Sequence, residues 1–417
     1  MPNYRRMRIL VVGSGGREHA LCWKLAQEAE VICAPGNAGI AEVADTVNIP
    51  TSNFHSLLNL IKEREIDLVV VGPEDPLVAG LADAIREAGV LCFGPGQAAA
   101  QLEGSKAFCK AMMQRAGVPT ADYRVFIDAD AAKSYASTKY AEGIKLAIKA
   151  SGNALGKGVI VAESLQEAKE GIDTLKALGE AGKTLVLEEK LEGKEFSLLT
   201  ITNGIDIYSL PVAQDYKRIF DGDQGPNTGG MGTFSPVEWV TPEIVAQTER
   251  ETVLPILKTL REDGIEYRGV LFSGLMQTSS GPKCLEYNVR FGDPETQSVL
   301  SRLGRGFADA LRACAAGEPI PEIELYEHAA VTVVAASAGY PGEYEKGKPI
   351  AIEPTEESVH IFHAGTKLNN GQLESNGGRV LAVTATAPTQ QEARTKAYEA
   401  LKRIHFDGMQ ARSDIGA

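Results

Sequence analysis

Four short apolar runs dominate the first hundred residues: MRILVVG (7–13), VICAPG (31–36), IDLVVVG (66–72) and VLCFGPG (90–96). Between them lie helical patterns: one from Glu18, one over FHSLLNLIKERE and one over PLVAGLADAIREAG. Runs that are apolar throughout must be covered on both faces, so the alternation predicts a doubly wound, Rossmann-like parallel sheet and an α/β fold class. Such sheets take ligands beyond the carboxyl ends of their strands. The glycine-bearing loops GSGGREHA (13–20), PGNAG (35–39) and GPE (72–74) fall at those ends.

The first loop is not a dinucleotide fingerprint. Counting Gly-x-Gly-x-x-Gly from Gly13 puts Glu18 at the last glycine position, and the second strand ends in VICAPG rather than in an acid. A glycine loop that opens a helix can still hold one phosphate on its free amides, with Arg17 adding charge. A tight strand-to-helix turn with solvated Arg17 and Glu18 accounts for the loop as well. A second near miss is KASGNALGKGVIV (149–161), where three residues rather than four separate Gly152 from Gly156 and Gly158 follows Lys157 instead of Ser or Thr. Strand patterns flank it on both sides, which predicts a glycine-rich hairpin. The helix signal comes later, at the capping box Ser164 to Glu167.

A length of 417 residues predicts about three domains. The net charge of −13 argues against nucleic acid as a partner. Six cysteines without CxxC or CxxH spacing read as buried free thiols of a reducing, cytoplasmic compartment. No signal peptide or apolar stretch of membrane-spanning length is evident. The six histidines are scattered singly and read as surface or core residues.

From Leu102 the pattern gives a helix, LEGSKAFCKAMMQRAG, then the glycine hairpin, its helix and the strand TLVLEEKLEG, a unit suited to a lid. Strands EFSLLTITNG and DIYSLPVAQDY precede a glycine-dense loop over 217–236, long enough to be functional. Strands GVLFSGLMQT and KCLEYNVRF follow. The last ninety residues give strands AAVTVVAAS, VHIFHAG and GGRVLAVTATA and a helix opened by Thr389, with Ala393, Ala397, Leu401 and Ile404 expected on one face.

The stretch KCLEYNVRFGDPE (283–295) carries the clearest chemistry. Strand alternation places Glu286, Asn288 and Arg290 on one face and Leu285, Tyr287 and Val289 on the other. Two oxygen ligands beside a cation suit a hard metal ion that completes its shell with water and phosphate. A solvated sheet face with one ion pair is the plainer reading of the same residues. Asp293 before Pro294 reads equally as a helix cap. Lys106 and Lys149 sit at element boundaries where a phosphate could lie.

Together GSGGREHA, APGNAG, VGPEDPL, QLEGSKAF, GNALGKGVIV, GPNTGGMG, NVRFGDPETQ, FHAGTK, NGGRVL and RSDIG resemble, in one order from residue 13 to 416, the ATP-grasp ligases. Within them the match is to the phosphoribosylamine–glycine ligase (glycinamide ribonucleotide synthetase) family. The resemblance implies an N-terminal substrate domain (1–104), an ATP-grasp domain (105–325, lid about 121–190) and a small α+β C-terminal domain (326–417). It implies ATP and Mg2+ or Mn2+ as cofactors, glycine and 5-phosphoribosylamine as substrates, no membrane partner and a monomer. It further implies a glycyl phosphate intermediate that the amine of 5-phosphoribosylamine converts to an amide.

Carried over residue by residue, Arg290, Asp215 and Lys217 become catalytic, with Arg290 and Asp215 holding the carboxylate and ammonium of glycine. Lys106, Lys149, Gly156, Lys157, Gly158, Glu188, Glu189, Leu191 and Glu195 become the ATP site, with Lys149 preferred to Lys157 as phosphate ligand. Glu286 and Asn288 become the metal ligands. Gly15, Gly16, Arg17, Glu18, Asn37, Gly72, Pro73, Glu74, Asn227, Thr228, Gly229, Gly292 and Asp293 become substrate-binding. Two positions depart from the family pattern: Ser151 where KADG is usual, and Tyr216 where His is usual. The alternatives are another ATP-grasp carboxylate–amine ligase of purine metabolism, a non-catalytic nucleotide-binding protein and a nicotinamide oxidoreductase.

Overall fold

The computed structural model describes residues 5–152 and 158–417. Gly156 and Lys157, expected to contact ATP, lie outside the described residues. Strands Asp45–Thr46, Glu30–Pro35, Arg8–Gly13, Leu68–Val71 and Leu91–Phe93 form one sheet in that spatial order, every pairing parallel. Leu10 and Val12 fill one hydrophobic core and Ile9 and Val11 another, which is why these runs are apolar at every position. The strand order reverses at Arg8–Gly13, so the crevice opens between the loops after Gly13 and Val71.

The following unit is an antiparallel lid sheet of Tyr123–Phe126, Leu185–Glu189, Leu146–Ala150 and Val159–Ala162. Helices Ala129–Ala141 and Leu165–Lys176 pack on it through Ala132, Ala136, Ala168, Ile172 and Leu175. The hairpin of Leu146–Ala150 with Val159–Ala162 is as expected, and the Ser164 side chain caps the next helix through the Glu167 amide. A second antiparallel sheet, ordered Ile207–Ser209, Lys194–Thr202, Gly269–Thr278, Gly281–Asn288, carries the acidic stretch. The C-terminal sheet is ordered Gln214–Asp215, Gly232–Ser235, Ala329–Ala336, Arg379–Ala387, Val359–His363, so two of its strands come from the middle of the chain.

Local differences from the expected pattern have identifiable causes. The first helix runs Gly16–Leu25 rather than from Glu18, because Glu18 folds back onto the Gly15 amide and caps its own helix. The pattern at 76–89 splits into Glu74–Val78 and Leu81–Glu87 at Gly80, whose φ of 93° no helix accepts. The expected single helix at 102–117 is broken at Ser105, which ends Gln97–Gly104 and caps Lys106–Ala116 through the Phe108 amide. The glycine-dense segment 217–236 is not a plain loop: Arg218–Phe220 pairs with Gln224–Asn227, and Gly232–Ser235 enters the C-terminal sheet. The last helix ends at Leu401, so Ala400 rather than Ile404 continues its buried face and Ile404 lies in the strand Ile404–His405. Strand pairing skips Leu285 at a bulge, so the expected alternation holds from Glu286 onward but not across Leu285.

Candidate active site

The strand Gly281–Asn288 presents Glu286 opposite Gly274, where a Cβ would stand 3.3 Å from Glu286 Cγ. Among the described residues the Glu286 carboxylate has no hydrogen-bond or ion-pair partner. Burial alone would raise its pKa, but Lys217, Lys149, Lys106 and Arg290 outweigh burial and hold the carboxyl below its ordinary value. Asn288 Oδ1 accepts from the Arg290 guanidinium at 3.4 Å.

Beside this centre, Lys149 and Lys110 each place Nζ 3.0 Å from Glu188 Oε2. Glu188 is 2% exposed, and its Oε1 is buried without a partner among the described residues. Burial lowers the Lys110 pKa, whereas Glu188 and Glu286 outweigh burial and raise that of Lys149. Lys217 pairs with Glu195 at 2.6 Å; burial opposes its charge, but Glu195, Glu286 and Asp215 raise its pKa. The amides of Glu189 and Lys190 already donate to Asp122 and Lys145 carbonyls. At Leu191, another residue expected in the ATP site, the amide is left without an acceptor among the described residues. Gly158 accepts from the Ala150 amide in the hairpin.

Arg290 ties the centre to the N-terminal crevice. Its guanidinium meets Glu74 at 3.3 Å and Glu103 at 2.8 Å, and these two carboxylates outweigh burial to raise the Arg290 pKa. Burial pushes Glu103 up to about 7 despite the Arg290 charge, while its Oε2 accepts from the Val289 amide at 2.8 Å. Arg17 donates to Glu18 at 2.5 Å and to the Phe291 carbonyl at 3.1 Å. The Gly15 amide, expected to face substrate, donates to Glu18 Oε2 at 2.6 Å. A Cβ on Gly16 would meet Gln297 Nε2 at 2.8 Å, so the loop at Gly15, Gly16 and Arg17 packs directly on the segment 291–297. Gly72 bonds the Val12 carbonyl, and Pro73 precedes the Glu74–Val78 helix.

The C-terminal domain braces this assembly. Arg379 donates to the carbonyls of Gly229 at 2.7 Å and Asp293 at 2.8 Å and pairs with the Asp293 carboxylate at 3.2 Å. Asp293 therefore takes Arg379 and Gln297, and the following helix starts after Pro294. Thr228 bonds the Lys217 carbonyl through both its amide and its hydroxyl, and Asn227 lies opposite Arg218 in the hairpin. Asn37 spends its side-chain amide on the carbonyls of Ser14 and His363, joining the first and last domains. The two departures are both structural contacts: Ser151 Oγ accepts from the Ala107 amide at the start of the Lys106–Ala116 helix, and Tyr216 stacks under the Arg412 guanidinium with its hydroxyl on the Gly416 amide.

Three family models match in sequence along the chain: the phosphoribosylglycinamide synthetase N domain over residues 7–103, its ATP-grasp (A) domain over 104–296 and its C domain over 330–417. The chain belongs to the phosphoribosylglycinamide synthetase family. Similar relatives are the phosphoribosylamine–glycine ligase of Rhizobium meliloti, 47% identical over 98% of both chains, and that of Rhodopirellula baltica, 44% identical over 98% of this chain and 97% of the other. The crystal structure of phosphoribosylamine–glycine ligase from Thermotoga maritima superposes with a TM-score of 0.85 at 37% identity, covering 98% of this chain and 100% of that one. A biotin carboxylase from Campylobacter jejuni, 16% identical with a TM-score of 0.74 over 98% of this chain and 93% of that one, shares the fold.

Placed on this member of the phosphoribosylglycinamide synthetase family, the expected residues Lys149, Lys217, Glu286, Asn288 and Arg290 come together, and Glu74 joins them through Arg290. Sequence reasoning missed Lys110, Glu103, Glu295 and Arg379. Lys110 lies one helical turn after Lys106, but the partner that brings it into the site, Glu188, stands far along the chain. No histidine, cysteine or acidic group of three or more suited to a metal occurs among the described residues, and none of their helices is long and apolar enough to cross a membrane.

Proposed function

We propose that the protein is an ATP-dependent ligase that joins glycine to 5-phosphoribosylamine through glycyl phosphate, forming glycinamide ribonucleotide, ADP and phosphate in purine biosynthesis. The supporting observation is the convergence of Lys106, Lys149, Lys217 and Arg290 on Glu286, a carboxylate that no cation pairs among the described residues. A carboxylate is a poor acyl donor, and phosphorylating it supplies a leaving group. Oxygens of the transferring phosphoryl need cations and exclusion of water, which would hydrolyse the acyl phosphate. In this reading Lys106 and Lys149 hold phosphate oxygens. Arg290 orients the glycine carboxylate. The N-terminal crevice at Gly15, Gly16, Arg17, Gly72 and Glu74 seats phosphoribosylamine.

The donor set fits a divalent cation. Glu286 offers a carboxylate unpaired among the described residues and Asn288 a carbonyl oxygen, two hard ligands of the number magnesium takes from proteins when phosphates complete its shell. We assign Mg2+ or Mn2+ to these two residues, where it would neutralise charge on the phosphoryl oxygens. The three units 1–104, 105–325 and 326–417 are part of the same proposal. Purified protein should form ADP only with both glycine and phosphoribosylamine present. ADP formation that persists unchanged without glycine overturns the assignment.

A further inference from the structure

Between the strand Gln214–Asp215, the turn at Gly230 and the helix Glu295–Leu300 lie two carboxylates, a buried one on Glu295 and a half-buried one on Asp215, that no cation pairs among the described residues. Glu295 is 3% exposed, and its Oε1 accepts from Ser197 Oγ at 3.1 Å. The Asp215 carboxylate makes no hydrogen bond or ion pair among the described residues, and its Oδ1 is buried. After burial, the charge of Glu295 is the largest influence raising the Asp215 pKa. Nearby cations are committed elsewhere: Lys217 to Glu195 at 2.6 Å, Arg379 to Asp293 at 3.2 Å and Arg290 to Glu103 at 2.8 Å.

Backbone closes the walls around both groups. A Cβ on Gly230 would stand 2.8 Å from Asp215 Oδ1 and 2.4 Å from Pro294 Cδ, and one on Gly292 would stand 2.5 Å from Glu295 Oε2. Thr233, paired with Asp215 across the strands, also reaches the Pro294 carbonyl at 3.4 Å, which fixes the strand against the start of the Glu295 helix. Burying two neighbouring carboxylates without a paired cation is costly, and burial raises the pKa of both; the cost is relieved either by proton uptake or by an incoming positive charge, and an ammonium group supplies the latter.

We propose that Glu295 completes, with Asp215, a two-carboxylate acceptor for the ammonium group of the amino-acid substrate, and that Glu295 sets the preference for a protonated amine over a neutral group of the same size. The proposal rests on glycine being the substrate, as inferred above. It makes Glu295 a specificity-determining residue, since a hydroxyl in place of the ammonium would leave both carboxylates uncompensated.

The test is steady-state kinetics of the full chain with glycine varied, ATP and phosphoribosylamine saturating, and glycolate as a competing ligand that carries a hydroxyl in place of the ammonium. Glu295→Gln should raise KM for glycine by about tenfold or more and leave kcat within about threefold, as expected for one lost charge-assisted contact in the ground state. In the same variant, glycolate should gain at least about tenfold relative to glycine. Glu295→Asp should recover most of the glycine affinity. An unchanged glycine-to-glycolate preference in Glu295→Gln overturns the proposal, as does an equal loss in the Gln and Asp variants. If Glu295→Gln does not fold, Ser197→Ala removes the hydrogen bond and keeps both carboxylates. A several-fold rise in KM at constant kcat then supports the proposal, and an unchanged KM overturns it. Failure of the glycine reading itself looks different, because wild-type protein would then show no glycine-dependent ADP formation.

Discussion

Arg379, the first residue of a C-terminal strand, stands 3.2 Å from the carboxylate of Asp293, in the segment that follows the Glu286 and Asn288 strand. The same guanidinium holds the Gly229 carbonyl. One side chain therefore ties the 225–232 segment, which packs on Asp215 at Gly230, to the 288–295 segment, which carries Arg290. Replacing Arg379 by Ala leaves the half-buried Asp293 carboxylate with Gln297 but without its paired cation, which should cost about 2 kcal/mol in chemical denaturation. Because Arg379 touches neither proposed reacting group, Arg379→Lys, which keeps the charge but not the fork, should show an intermediate rise in glycine KM. Wild-type stability and kinetics in Arg379→Ala would remove the brace from this account.

Glu188 faces Lys110 and Lys149 at the same distance, 3.0 Å, from a single oxygen. Lys110→Met takes away one of the two cations that make this buried carboxylate tolerable. We expect a loss of about 3 kcal/mol, and a smaller loss when Glu188→Gln is added, because the second change removes the charge left stranded. The ATP KM should rise several-fold in Lys110→Met, since Glu188 then draws more of the Lys149 charge away from phosphate. Additive losses in the double variant would show that the two residues are not coupled.

Much of this was legible from residues near one another in sequence. The apolar runs fixed the parallel sheet because burial on both faces leaves no other pattern, and strand alternation gathered Glu286, Asn288 and Arg290. Lys110, Glu103, Glu295 and Arg379 were not legible, because each is functional only through a partner far along the chain. The glycine loop was legible only in part. A Cβ on Gly13, Gly15 or Gly72 would run into Glu18 at 2.4, 2.8 or 2.1 Å, so these glycines make room for a buried glutamate as well as for any ligand. Three histidines that look scattered in sequence also converge: His19 accepts from the His363 amide at 2.8 Å, and Trp23 stacks on His360.

That histidine contact predicts a pH dependence of stability. Burial lowers His19 to about 3 and His363 to about 4, against an ordinary value of 6.5. Between those values and 6.5 the unfolded chain binds protons that the folded chain refuses. The stabilisation is therefore complete above pH 6.5 and is lost as pH falls through the window. Thermal denaturation should show Tm falling between pH 7 and pH 5. His19→Asn, which can keep an acceptor toward the His363 amide but cannot titrate, should flatten that fall. An unaltered slope in His19→Asn would place the acid sensitivity elsewhere.

Glu286 offers the sharpest separation between a structural and a chemical role. Four cations hold its carboxylate ionised against burial, yet none pairs with it directly among the described residues. Glu286→Gln keeps the shape and removes the charge, so the fold should survive while Lys106, Lys149, Lys217 and Arg290 lose a common counter-charge. Turnover should fall by orders of magnitude at any fixed metal concentration, and the metal concentration giving half-maximal rate should rise. A direct metal titration of the variant in the presence of ADP provides a readout apart from activity, and weakened binding is expected there. A variant that turns over near the wild-type rate with an unshifted metal requirement would remove Glu286 from the metal site and leave it as a balance for the surrounding lysines.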